Sequence, residues 1–171
     1  FWWAAEPSLP GTIYGHADNF NGIGIFFDTY EPTGHAEGAA AVEDAEAYEG
    51  GGAHGLMIEN FGDLPFSREG VAPESVASMA VAAEAIRSAG VRLPLGFNVL
   101  RNDVSSALGL AAACEGVFVR VNVHTGAVEA DQGIIQGEAS STLRKRAGLC
   151  PGVAIWADVL VKHAVPIGDL G

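Results

Sequence analysis

From about residue 40 onward, helix-period segments alternate with short apolar runs, and Gly or Pro stands at nearly every junction. A chain patterned this way is confined to a parallel sheet built from right-handed βαβ units. An amphipathic helix is expected at about residues 39–49, with Val42, Ala45 and Tyr48 as its apolar stripe, stopping at Gly50-Gly51-Gly52. A strand follows at about 55–59. Pro73-Glu74 opens a helix running to about Ser88, and Gly90 supplies its stop. A second strand spans about 95–100. Asp103 caps a helix over about 104–114, ended by Gly116. The clearest strand is 117–123, where Val119, Val121 and Val123 alternate with Arg120, Asn122 and His124. A helix at about 138–147 and a strand at about 153–159 complete the series. Strands recurring at roughly 25–40 residues suit a (β/α)8 barrel or an open doubly wound sheet. No Gly-x-Gly-x-x-Gly or Walker loop is present, which disfavours dinucleotide and nucleoside-triphosphate folds.

Residues 1–35 follow another pattern. Trp, Phe, Tyr, Gly and Asn are frequent, and no helical period appears. Strands are expected at 1–4 and 22–30, with turns at 7–11 and 18–22, in the manner of an antiparallel β-sandwich. Charge divides the chain similarly. Residues 1–67 carry 11 acids and no Lys or Arg, whereas residues 68–171 carry ten acids against nine bases. That imbalance argues against nucleic-acid binding, which needs clustered cations. The one basic cluster, Arg144-Lys145-Arg146, suits the last turn of a helix. Apolar runs such as 107–114 fall short of the roughly 20 residues a membrane span requires. Cys114 and Cys150 have neither metal-site nor disulfide-scaffold spacing and mildly favour a reducing compartment. The chain begins at Phe1 with no initiator Met, and it is expected to be a piece of something longer. A closed (β/α)8 barrel takes about 250 residues, so about four βα units with an exposed sheet edge at each side are expected.

In parallel α/β folds, chemistry collects where the strands run into the following loops. Polar side chains recur at that edge of all four strands: Glu59, Asn60 and Asp63; Asn98, Arg101, Asn102 and Asp103; Arg120, Asn122 and His124; Asp158, Lys162 and His163. Glu59, Asp158, His124, Lys162 and His163 are the candidate catalytic residues. Glu59 or Asp158 would serve as a general base if burial raised its pKa, and His124 and His163 are candidate proton shuttles. The two histidines with Asp158 or Glu59 are also a candidate divalent-metal set. Asn60, Asn98, Arg101, Asn102, Arg120 and Asn122 are the candidate ligand-binding residues, with Arg101, Arg120 and Lys162 suited to a phosphate or carboxylate. Asp103 reads better as a helix cap, and Arg120 equally well as a partner that neutralises Glu59 or Asp158. Met57 and Met79 read as core. Ser140, Ser141 and Thr142 show no nucleophile elbow.

The segments Gly55-Leu-Met-Ile-Glu-Asn-Phe-Gly-Asp63, Pro94-Leu-Gly-Phe-Asn-Val-Leu-Arg-Asn-Asp103, Phe118-Val-Arg-Val-Asn-Val-His-Thr-Gly126 with Asp131-Gln-Gly133, and Ala157-Asp158 with Val161-Lys-His-Ala164 resemble the BtpA family over about residues 38–171. The resemblance implies a partial (β/α)8 barrel, about four βα units long, over residues 36–171. It also implies a role in the biogenesis or stabilisation of photosystem I, with no settled reaction. Partners would be photosystem I components, the thylakoid membrane, a small molecule or a second copy of the chain, with no nucleic acid. Location would be cytoplasmic or peripheral to the thylakoid, and no cofactor is named. Residues 1–35 resemble a fragment of the L-type, mannose-binding lectins of the secretory pathway, through Phe1-Trp2, Gly11-Thr-Ile-Tyr-Gly15 and Ala17-Asp-Asn-Phe-Asn-Gly-Ile-Gly-Ile-Phe-Phe-Asp-Thr-Tyr30. That resemblance implies Asp28 as a calcium ligand, although Pro32 stands where the family usually carries an Asn ligand. The abrupt join at residues 31–38 leaves a fusion, a joined gene model or a fragment with a foreign front, and the two vocabularies favour an artefactual or degenerate join.

Overall fold

In a computed structural model that describes residues 23–27 and 36–168, the chain alternates strand and helix as its pattern dictates. The order is β1 (Ile23–Phe27), α1 (Ala36–Gly50), β2 (Gly55–Glu59), α2 (Pro73–Ser88), β3 (Leu95–Asn98) and α3 (Val104–Ala113). There follow β4 (Phe118–Val121), β5 (Ala127–Ala130), β6 (Gly133–Gln136), α4 (Ala139–Leu149), β7 (Ala154–Ala157) and β8 (Val165–Pro166). Five strands form one parallel sheet in the order β1-β2-β3-β4-β7, the architecture of a partial (β/α)8 barrel. Apart from residues 23–27, the lectin-like segment expected at 1–35, Asp28 included, lies outside the described residues. The strand expected at 22–30 is present at Ile23–Phe27, and its partner is β2 in parallel register, Phe27 opposite Glu59. The antiparallel setting expected for it is thus not the one these five residues take.

Local chemistry accounts for the helices. Pro73 occupies the first turn of α2, where a missing N–H costs nothing, and Ala72 before it is extended. Gly90, at φ +95°, takes the left-handed conformation that closes α2. Asp103 caps α3, its Oδ1 accepting from the Ser106 N–H at 2.9 Å. Its Oδ2 accepts from the Val71 N–H at 3.2 Å, which ties the loop before α2 to the start of α3. The basic cluster lies in α4 with Arg146 alone in the last turn, because the helix runs on to Leu149; Lys145 donates to Ser105 on α3, and Arg146 donates to the Val153 carbonyl at 3.4 Å.

The two-residue period of each strand divides the sheet into faces. Leu56, Ile58, Leu95, Phe97, Val119 and Val121 face the helices. They pack with Ala45, Met79, Ala83, Ile86, Ala107 and Leu108 into one buried core. The opposite face carries Met57, Gly96, Phe118 and Ala154 in one row. Toward the carboxyl edge the next row is Glu59, Asn98 and Arg120, with Asn122 and Asp158 following. The Phe118 ring lies over Gly96 and stacks on Trp156, which register sets opposite Arg120, with ring centroids 4.0 Å apart.

The pattern did not reveal a second, antiparallel sheet, β6-β5-β8, inserted between β4 and α4 and rejoined after β7. Its hairpin strands are only four residues long, and one buried side chain per strand, Val128 and Ile135, gives too short an alternation to read. With Val123 these two form a small satellite core. Among the described residues, no helix is long and apolar enough to cross a membrane.

Candidate functional site

The carboxyl edge of the parallel sheet gathers the polar residues by register. Glu59 ends β2, Asn98 ends β3, Arg120 and Asn122 straddle the end of β4, and Asp158 follows β7. The centre is Arg120. Its Nε and Nη2 donate to the two oxygens of Asp158, each at 2.9 Å, and its Nη1 donates to Glu59 Oε1 at 3.3 Å. A planar guanidinium suits this two-pronged grip on a carboxylate. Asn98 donates to the same Glu59 oxygen, and Asn122 Nδ2 donates to Asp158 Oδ2 at 3.0 Å.

The groups around Arg120 are shielded from water, while the Arg120 side chain itself stays 23% exposed. Glu59 and Asn122 are each 4% exposed and Asn98 1%. Burial pushes the Glu59 carboxyl above its ordinary range, and neighbouring Asp158 adds to the effect. Arg120, the Asn98 amide and Arg101 pull the other way without cancelling it. Arg120 is held above its usual value, because its bonds and attraction to Asp158 and its attraction to Glu59 outweigh its desolvation. The site therefore holds a carboxyl that binds a proton more readily than an ordinary one beside a permanent cation, an arrangement able to exchange a proton with a bound molecule.

Other expected site residues are committed to structure. Asn60 and Asn102 each grip a backbone peptide group on the neighbouring loop. Asn60 Oδ1 accepts from the Leu100 N–H at 2.6 Å, while its Nδ2 donates to the Leu100 carbonyl at 3.3 Å and to Asp63 at 3.1 Å. Asn102 accepts from the Val123 N–H and donates to its carbonyl, both at 2.9 Å. These two amides act as staples between successive loops. Arg101 spans from the Phe66 ring, 5.0 Å from its centroid, to the hairpin tip, where it meets Gln132 at 3.2 Å and Asp131 at 3.5 Å. Gln132 and Asp131 thus join the edge through the unforeseen hairpin. The signal that could have found it is the Asp131-Gln132-Gly133 turn.

His124 lies two residues beyond Asn122, its Nδ1 buried without a partner. Lys162 and His163 are exposed in the turn between β7 and β8. The divalent-metal set is not assembled: among the described residues no group of three His, Cys, Asp or Glu side chains can hold a metal ion. The reason is local, since Asp158 and one oxygen of Glu59 are turned onto Arg120 and His163 stands away in its exposed turn.

Comparison with known proteins gives two family matches, the BtpA family over residues 38–171 and the legume-like lectin family over residues 1–47. The chain is 46% identical over 128 residues to the photosystem I biogenesis protein BtpA of Synechocystis, covering 75% of this chain and 44% of that protein. It is 48% identical over 130 residues to an uncharacterised protein of Thermococcus kodakarensis (76% of this chain, 49% of the relative). It is 41% identical over 156 residues to one of Methanocaldococcus jannaschii (91% and 53%). The chain spans about half the length of these curated relatives. No solved structure matches it. The strand-edge residues of the described fold fall within the stretch that the family match covers, and the chain belongs to the BtpA family.

Proposed function

We propose that the carboxyl edge of this barrel segment is a small-molecule site, in which Glu59 exchanges a proton with the bound molecule and Arg120 and Asp158 set its charge. The observation that carries the reading is the shared guanidinium. Two buried carboxylates from β2 and the end of β7 converge on Arg120 at the barrel edge where α/β chemistry collects, with an unpartnered Asn122 oxygen beside them. A buried ion pair of this kind is a weak source of stability, which supports a functional reading. A phosphate or carboxylate on the molecule would look to Lys162, since Arg101 and Arg120 are already paired. The process served is proposed to be photosystem I accumulation, on the strength of the Synechocystis relative's name. The two archaeal relatives are uncharacterised proteins whose names state no such process.

Mass spectrometry of small molecules released from the purified chain tests the site. A bound species is expected, and it should be absent from Glu59→Gln that retains the native circular dichroism spectrum. A chain that releases nothing, or equal amounts from both proteins, overturns the reading. The lectin-family match over residues 1–47 favours a second reading, calcium-dependent mannose binding through Asp28 in a secretory setting. Retention on mannose resin that a chelator abolishes would support it, and no retention removes it.

A further inference from the structure

Register sets Glu59 at the end of β2 directly beside Asn98 at the end of β3, and Arg120 reaches Glu59 from β4. A guanidinium only donates, so Glu59 Oε1, which meets Arg120 Nη1 at 3.3 Å, accepts there. Asn98 meets the same oxygen. The amide atom turned to it is therefore the donor, Nδ2, and Oε1 receives two N–H groups at once. Glu59 Oε2 accepts from no described residue, and it is not one of the side-chain atoms sealed from solvent without a partner. Asn98, 1% exposed, bonds through its side chain to Glu59 alone among the described residues, whereas Asn60 and Asn102 grip backbone.

The two carboxyl oxygens are thereby unequal. The hydroxyl oxygen of a carboxylic acid accepts poorly, and its hydrogen would crowd the two N–H groups aimed at it. Negative charge is best held on Oε1, between a cation and an amide, and a proton on Oε2, which accepts from neither. Substituting Asn98 leaves the charged neighbours of Glu59 in place: Arg120 on β4, Asp158 after β7 and Arg101 after β3.

We infer, building on the proton exchange proposed above, that Asn98 is a positioning residue: with Arg120 it reserves Oε1 for charge and leaves Oε2 as the atom that takes and gives the proton. Nuclear magnetic resonance of the 13C,15N-labelled chain tests this by following the Glu59 carboxyl carbon and the Asn98 side-chain amide across a pH titration. Asn98→Leu, close in shape but without a donor, should raise the midpoint of the Glu59 titration by about one unit. Asn98→Asp, which turns a second carboxyl toward Oε1, should raise it further. An Asn98 that only supports the fold would lower the melting temperature and leave that midpoint unmoved; an unmoved or lowered midpoint overturns the assignment. The parent chain supplies a check that no variant's folding can obscure. Below the Glu59 midpoint the Asn98 amide should keep a hydrogen-bonded proton shift, because the proton has gone to Oε2. Collapse to the shift of a free amide would place the proton on Oε1 and overturn the inference. Neither readout needs a bound molecule, so each holds or fails independently of the release assay that tests the small-molecule site.

Discussion

At the scale of single residues, Glu59 and Arg120 make opposite demands on folding. Glu59 binds its proton more tightly in the folded chain than in the unfolded one, whose ordinary value is 4.5. The folded state therefore takes up a proton as the pH falls, and stability declines as pH rises from about 4.5 through the higher folded value, with no further change above it. Glu59→Gln lacks this titration. The melting temperature of Glu59→Gln relative to the parent should therefore rise with pH across that window, and parallel curves would refute the assignment. Arg120 is the counterweight. Arg120→Met leaves Glu59 and Asp158 buried and facing one another without their cation, which should cost about 3–5 kcal/mol in urea denaturation at neutral pH. The loss should shrink at acid pH as Glu59 takes up its proton. The residue types at this edge were legible in the sequence, because strand period and strand ends alone place Glu59, Asn98, Arg120, Asn122 and Asp158 together. Their division of labour was not. Nothing in the order of residues distinguishes Asn122, with its open oxygen, from Asn60 and Asn102, whose amides close on backbone.

At the scale of elements, the sheet depends on one small residue. A Cβ at Gly96 would lie 2.2 Å from the Phe118 ring, and that ring cannot retreat because it is stacked on Trp156. Gly96→Ala should cost at least about 1–3 kcal/mol in chemical denaturation and broaden the Trp156 fluorescence transition. A shift within experimental error would show that the stack yields. Helix positions were legible because Pro73, Gly90 and Asp103 punctuate them chemically. Strand ends were read two residues too long after β3 and β7, where apolar residues such as Val99, Leu100 and Val159 continue past the last paired residue. The hairpin escaped because its packing partner, Val123, lies in a different segment. Gly137 shows how tightly that hairpin joins the barrel, since a Cβ there would sit 2.6 Å from the His124 carbonyl.

At the scale of the molecule, β7 has β4 on one side and no described strand on the other, and the chain beyond it is apolar and open. Val159 is 95% exposed, with Leu160 and Val165 more than half exposed. An unpaired strand edge beside such a surface invites association. Sedimentation of the isolated chain should show mass rising with concentration, and Val159→Asp with Leu160→Lys should suppress the rise; a concentration-independent monomer would exclude it. The staples of Asn60 on Leu100 and Asn102 on Val123 bear on time rather than strength. Because each loop is fastened to the next through its backbone, the rim of the barrel has no slack of its own and opens only when the sheet opens. Amide protons of Leu100 and Val123 should therefore exchange with solvent as slowly as those of β3 and β4, and Asn60→Ala should speed Leu100 selectively. A molecule arriving at this edge meets a surface already in its final shape, so its residence time is governed by its own contacts and not by the breathing of the loops around it.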